Sequence, residues 1–190
     1  MPKIYTEDQI FEKRDYSKES FPKGEYESCR FVNCSFANAD LSENLFLQCE
    51  FEQCDLSLTN LNYTAFREVS FKGCKMMGVG FQDCNQLLLS FQFEDCQLKL
   101  ASFYKLKLKA MKFIDCNLQE VDFTEADCTA AVFDNCDLTR AVFEYTSLEK
   151  ADFRSSFNYL INPETNRIKK AKFSSDGLAG LLAQFDIEIE

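Results

Sequence analysis

The chain has 190 residues, a formal charge of −10, ten cysteines and neither histidine nor tryptophan. Without histidine there is no ordinary base to activate a serine or cysteine nucleophile, and the few glycines form no phosphate-cradling loop. An enzyme is therefore not expected, nor a metal site or a cofactor. Residues 1–8 carry no apolar leader and no run approaches 18 apolar residues, so the expectation is a cytoplasmic protein with reduced thiols.

A large apolar residue recurs at every fifth position. Over residues 1–30 the beat is weak: Phe11, Tyr16, Phe21 and Tyr26 keep it, but Gln9, Arg14 and Glu19 hold the positions two residues earlier. That predicts a degenerate first coil closing one end. From Phe31 the beat is strong, running Phe31, Phe36, Leu41, Phe46, Phe51 and onward to Phe153. Inside it Phe-x-x-Cys returns at Phe31, Phe51, Phe71, Phe93, Phe113 and Phe133, with steps of 20, 20, 22, 20 and 20.

A period of five fits neither the 3.6 of a helix nor the 2 of a strand. It fits a chain that turns a corner every five residues, with four such segments per circuit. Stacked circuits then hydrogen-bond like strands about 4.8 Å apart. The predicted fold is an all-β, four-sided solenoid over residues 31–173, in which each coil touches only its neighbours.

Reading every twentieth residue gives columns. One is Phe31, Phe51, Phe71, Phe93, Phe113, Phe133, Phe153, Phe173, and another Phe36, Leu56, Met76, Leu98, Leu118, Leu138. Smaller residues precede each centre by two, notably Cys34, Cys54, Cys74, Cys96, Cys116 and Cys136. These cysteines read as small buried filler, in preference to disulfides or a metal site. Just before them stand Asn33, Gln53, Gly73, Asp95, Asp115 and Asn135, mostly types that tolerate a left-handed backbone at a corner. The step of 22 places two extra residues within 82–92, either a tolerated bulge or a recognition bump.

After a polar turn at 162–167, Ile168 to Phe173 returns to the phenylalanine column as a last strand. Residues 174–190 predict a short helix, N-capped by Ser174 or Ser175, with an apolar stripe at Leu178, Leu181, Leu182 and Phe185. Ile187 and Ile189 alternate with acids like an edge strand. The stripe needs cover from the last coil, a second subunit, or both, so these six residues are the expected cap and dimerisation element.

Charge is uneven. Residues 31–66 and 113–139 contain no Lys or Arg, and between them lies a basic interruption at Lys99, Lys105, Lys107, Lys109 and Lys112. The candidate partner-binding residues are the acids of the two stretches: Asp40, Glu43, Glu50 and Asp55, then Asp115, Glu120, Asp122, Glu125, Asp127 and Asp137. Stacked into bands they would face a partner's basic groove; a solvated acidic surface that keeps a rod soluble is the alternative.

Segments such as Ala39-Asp40-Leu41-Ser42, Ala126-Asp127-Cys128-Thr129 and Ala151-Asp152-Phe153-Arg154 resemble the A-(D/N)-L-x-x unit of the pentapeptide-repeat family. The resemblance covers residues 11–173 and implies a right-handed quadrilateral β-helix. The acidic solenoid followed by a strand, helix and tail resembles the quinolone-resistance (Qnr-like) branch. That implies a dimer joined through the C-terminal helix, mimicry of duplex DNA, and binding to DNA gyrase or topoisomerase IV without binding nucleic acid or membrane. A scaffold module for another protein partner is the alternative reading.

Overall fold

The computed structural model describes residues 4–185 and 187–188. Its backbone turns a corner at every fifth residue. Two positions after most large apolar centres φ is positive, as at Asn33 (+53°), Asn38 (+58°), Gly78 (+65°) and Lys150 (+61°). Asn, Asp and Gly do occupy corners, yet so do Leu58, Tyr63 and Ala130, for which the left-handed region costs about 1–2 kcal/mol. The offset lies in the stacking. Most corner amides donate to the next coil, as Asn33 to the Glu52 carbonyl at 2.9 Å and Gln53 to Lys72 at 2.8 Å.

Four segments close one circuit, giving four faces named here by their first centres, Phe31, Phe36, Leu41 and Phe46. On the Phe31 face, Ile10–Glu12, Arg30–Val32, Glu50–Glu52, Val69–Lys72, Phe91–Glu94, Lys112–Ile114 and Val132–Asp134 form a seven-stranded parallel sheet. On the Phe46 face, Ile4–Glu7, Gly24–Glu27, Leu45–Leu47 and Ala65–Arg67 form a four-stranded one. Register advances by 20, with Phe31 opposite Phe51, and by 22 across the slip, with Phe71 opposite Phe93.

The core is a set of ring stacks. Phe11, Phe31, Phe51, Phe71, Phe93, Phe113, Phe133, Phe153 and Phe173 follow one another with centroids 4.6–5.4 Å apart and planes within 22°. On the Leu41 face Phe81, Phe103, Phe123 and Phe143 repeat this at 4.7–5.3 Å. The two stacks meet edge-on, as Phe113 and Phe123 do at 5.8 Å and 86°. Each buried ring contributes roughly 1.5–3 kcal/mol by burial and about 0.5–1.5 kcal/mol per well-placed pair.

The cysteine column does more than fill space. The Cys54 thiol donates to the Phe31 carbonyl on the preceding coil (3.2 Å), Cys74 to Phe51 (3.3 Å) and Cys136 to Phe113 (3.4 Å). Where Thr or Ser replaces Cys the hydroxyl makes the same bond: Thr59 to Phe36, Thr146 to Phe123, Ser156 to Phe133. A small donor there satisfies a carbonyl that would otherwise be buried alone. All ten thiols are free and buried.

The ends differ from the middle. Gln9, Arg14 and Glu19 are exposed, so the first coil leaves its small positions to solvent. At the other end the expected helix is shorter than its apolar stripe: one turn over Ala179–Leu182, then a 3-10 turn over Ala183–Phe185. Neither Ser174 nor Ser175 caps it. Leu178 stands at that position, and the Ser174 hydroxyl instead accepts the Gly177 amide at 3.2 Å. Leu181 packs against the core and Leu182 is half-buried, while Leu178 and Phe185 stay about half exposed (48% and 49%). Ile187 is exposed and Ile189 lies outside the described residues. Among the described residues no helix is long and apolar enough to cross a membrane.

Candidate functional site

The solenoid sorts side chains by their place in the five-residue unit and not by sequence neighbourhood. One circuit takes 20 residues, so each acidic stretch winds around the rod. The ten candidate acids accordingly do not share a face. Glu50 is on the Phe31 face, Asp55 and Asp137 on the Phe36 face, Asp127 on the Phe46 face, and Asp115 at the corner between the first two. The remaining five gather on or beside the Leu41 face. Asp40 and Asp122 point outward from it, Glu120 is at one bordering corner, and Glu43 and Glu125 are at the other.

That face has a property the other three lack. Its outward positions from Asp40 to Glu144 are Asp40, Ser42, Asn60, Asn62, Gly80, Gln82, Ser102, Tyr104, Asp122, Thr124, Val142 and Glu144, with no Lys or Arg. Bridges stack them in two runs, Asp40–Asn60 and then Gly80–Ser102–Asp122–Val142.

Several carboxylates also have local work. In Asp40, Asp55, Asp122, Asp127 and Asp137, Oδ1 accepts the amide two residues on, at 2.9–3.2 Å. Asn60 and Asn117 do the same without a charge, at 3.1 and 3.0 Å. The turn needs the oxygen and not the negative charge. This role was visible in the (D/N) of the repeat unit but hidden when the acids were read only as charges.

Three of the five lysines in the interruption meet acids of the second stretch. Lys99 pairs with Glu120 (3.1 Å), Lys105 with Glu125 (3.4 Å) and Lys109 with Asp127 (3.2 Å), each one coil along. Arg30 bridges Glu50 and Glu52, and Lys23 meets Asp40 at 2.9 Å. These exposed pairs contribute little stability, ~0–1 kcal/mol each, but they trim the acidic field. Burial by itself raises the Asp40 carboxyl; hydrogen bonds from Ser42 and Lys23 outweigh it and hold the group down at about 2. No group of three His, Cys, Asp or Glu side chains among the described residues is placed to hold a metal ion.

The two extra residues fall in Asn85–Ser90. A 3-10 turn at Phe81–Asp83 leads into it, Leu87 amide donates to Asn85 Oδ1 at 2.9 Å, and Leu87 and Leu88 are 64% and 69% exposed. Phe91 takes the small inward position registered with Val69, meeting Phe66 edge-on at 6.4 Å, so a large ring fills space the bulge vacates. The four-stranded sheet on the Phe46 face ends one coil earlier, at Ala65–Arg67.

A family model for the pentapeptide repeat region matches residues 24–92 and 79–153. No curated protein matches the chain. Among solved structures, full-length QnrB1, a plasmid-mediated fluoroquinolone resistance protein, is 14% identical, with 96% of this chain and 100% of that one covered at a TM-score of 0.62. HetL, a pentapeptide repeat protein involved in heterocyst differentiation regulation from the cyanobacterium Nostoc sp. strain PCC 7120, is 14% identical over 90% of this chain and 85% of that one, at 0.60. At that identity the likeness is one of fold. With its repeat, its left-handed corners and its stacked phenylalanines, the chain belongs to the pentapeptide repeat family.

Proposed function

We propose that the chain is a non-enzymatic protein-binding rod whose partner engages the Leu41 face. The observation that carries this reading is the absence of Lys and Arg from the outward positions of that face between Asp40 and Glu144. Its turns are made equally well by Asn60, so the fold does not need the charge of Asp122, while that of Asp40 is shared with Lys23.

The partner in this reading is a type II topoisomerase, DNA gyrase or topoisomerase IV, met through the basic surface that holds DNA. The net charge of −10 supports it, as does likeness of fold to a fluoroquinolone resistance protein. Literal mimicry of duplex DNA is the weaker part. Asp40 and Asp122 are separated by four rungs, about 19 Å at a rung spacing of about 4.8 Å, whereas DNA presents a charge per roughly 1.7 Å of axis. A sparse acidic ribbon with polar spacers describes the face better. The test is gyrase supercoiling with and without a fluoroquinolone: inhibition or drug protection at micromolar protein, lost in Asp40→Asn/Asp122→Asn, is expected. No effect would remove the topoisomerase and leave the scaffold reading, in which another protein occupies the same face.

A homodimer through the C-terminal end belongs to the same proposal. Leu178, Phe185 and Ile187 leave apolar surface at the cap that a second copy would cover. Light scattering on the full chain and on one ending at Phe173 distinguishes dimer from monomer. A reducing, cytoplasmic setting suits a rod with ten free thiols.

A further inference from the structure

The bulge at Asn85–Ser90 opens a gap in the backbone ladder. In regular coils the residue before each centre donates its amide to the preceding coil: Ala65 to Asn44 (2.8 Å), Asp122 to Ala101 (3.0 Å), Asp127 to Leu106 (2.8 Å). Its carbonyl, and that of the residue after the centre, accept from the preceding coil, as Asp127 does from Leu108 (2.8 Å) and Thr129 from Ala110 (2.9 Å). At Lys107 and Lys109 the pattern fails. Among the described residues the Lys107 amide and the carbonyls of both lysines have no hydrogen-bond partner, because Gln86–Ser90 has swung away; Ser90 bonds instead to Phe66 and Val69 of the coil before. A cleft of about 530 Å³ lies between bulge and coil, with Leu89, Lys107, Lys109 and Lys112 in its wall.

We propose that this cleft is a docking slot for one extended, acidic segment of a partner protein, taken up as the missing rung. Three features converge on that chemistry. The unpaired amide and carbonyls present half a strand ladder, and an extended backbone satisfies it as in strand addition. Lys107 and Lys112 make no ion pair among the described residues and Lys109 shares only Asp127, which concentrates positive charge in a chain of net −10. Leu89 offers apolar contact in the cleft wall, and Leu87 and Leu88 are exposed on the bulge just before it. A segment alternating acidic and aliphatic residues satisfies all three, with carboxylates toward the lysines and aliphatic side chains on the leucines. Glu68, at the far wall, is held by Gln48 at 3.1 Å and disfavours a second acid there. The slot opens away from the Leu41 face, so it does not depend on the topoisomerase reading.

The probe is an acetylated Glu-Val-Asp-Val-Glu peptide titrated into the full chain, with Lys-Val-Lys-Val-Lys as control, read by amide NMR shifts and hydrogen exchange. In the free protein the Lys107 amide is expected to exchange fast and the Asp127 amide slowly. The acidic peptide is expected to shift residues 85–90 and 107–112 and to protect Lys107, with affinity falling about tenfold in Lys107→Glu and on raising salt; the basic peptide is expected to do neither. An already protected Lys107 amide would overturn the open rung. Absence of acidic-peptide binding, equal binding of both peptides, or shifts confined to other coils would overturn the slot.

Discussion

At the residue scale, the chemistry of the corners and of the small inward column decides what the surface can do. The Asp152 carboxyl is held at about 2 by the Arg154 guanidinium, which reaches both of its oxygens at 2.9 and 2.8 Å, against an opposing push from burial. Asp40 sits at about 2 as well. Both values lie below the ordinary carboxylate value of about 3.9. Their contribution is therefore present above pH 4 and lost as pH falls from about 4 through about 2. Urea midpoints measured from pH 5 to pH 2 are expected to fall across that window, and Asp152→Asn to flatten the fall. The Cys49 thiol shifts oppositely, pushed up to about 12 by burial. All ten thiols are buried, so native protein is expected to release essentially no thiol signal with an aromatic disulfide reagent at pH 8. All ten react once the chain is denatured. Rapid reaction of several thiols in the folded state would contradict the inward column.

At the element scale, stacks and caps carry the stability. Phe113 is fully buried between Phe93 (5.4 Å) and Phe133 (5.2 Å). Truncation to Ala is expected to cost about 3–5 kcal/mol by denaturant titration, with the loss felt by the coils on either side since stability is shared between neighbours. The C-terminal turn is tied down by close approach. A methyl group at Gly180 would run into the Tyr159 carbonyl oxygen, and one at Gly177 into the Tyr159 hydroxyl. Gly180→Ala is expected to detach the cap, speeding amide exchange over residues 178–185 while leaving the ring stack intact. This is where the sequence was hardest to read. By propensity Gly177 and Gly180 only weaken a helix, yet they are contact residues, and only the position of Tyr159 reveals it. The five-residue beat, by contrast, dictated the solenoid because one buried side chain per segment is all the geometry requires. Asn33, Asp115 and Asn135 were legible as corners for the same reason. Leu58 and Tyr63 were not, since the stacking bonds that hold them lie twenty residues away.

At the scale of the whole molecule, position on the circumference outranks position in the sequence. The two acidic stretches read as bands, yet winding disperses Glu50, Asp55, Asp115, Asp127 and Asp137 away from the Leu41 face. Of the five lysines that seemed to break the acidic field, Lys99, Lys105 and Lys109 pair with Glu120, Glu125 and Asp127 one coil on. What remains is a polar ribbon with Asp40 and Asp122 in it, and the account of function stands on that ribbon. Charge removal by Asp→Asn keeps each turn's oxygen, but at Asp40 it also removes the Lys23 pair, so each variant's urea midpoint is measured beside its affinity. The decisive measurement is gyrase affinity across a salt series for the wild type, for Asp40→Asn/Asp122→Asn, and for Glu50→Gln/Asp134→Asn on the Phe31 face. The account predicts micromolar or tighter binding that weakens steeply with salt and drops several-fold in the first variant only. Equal losses in both variants, or no binding by the wild type, would contradict it.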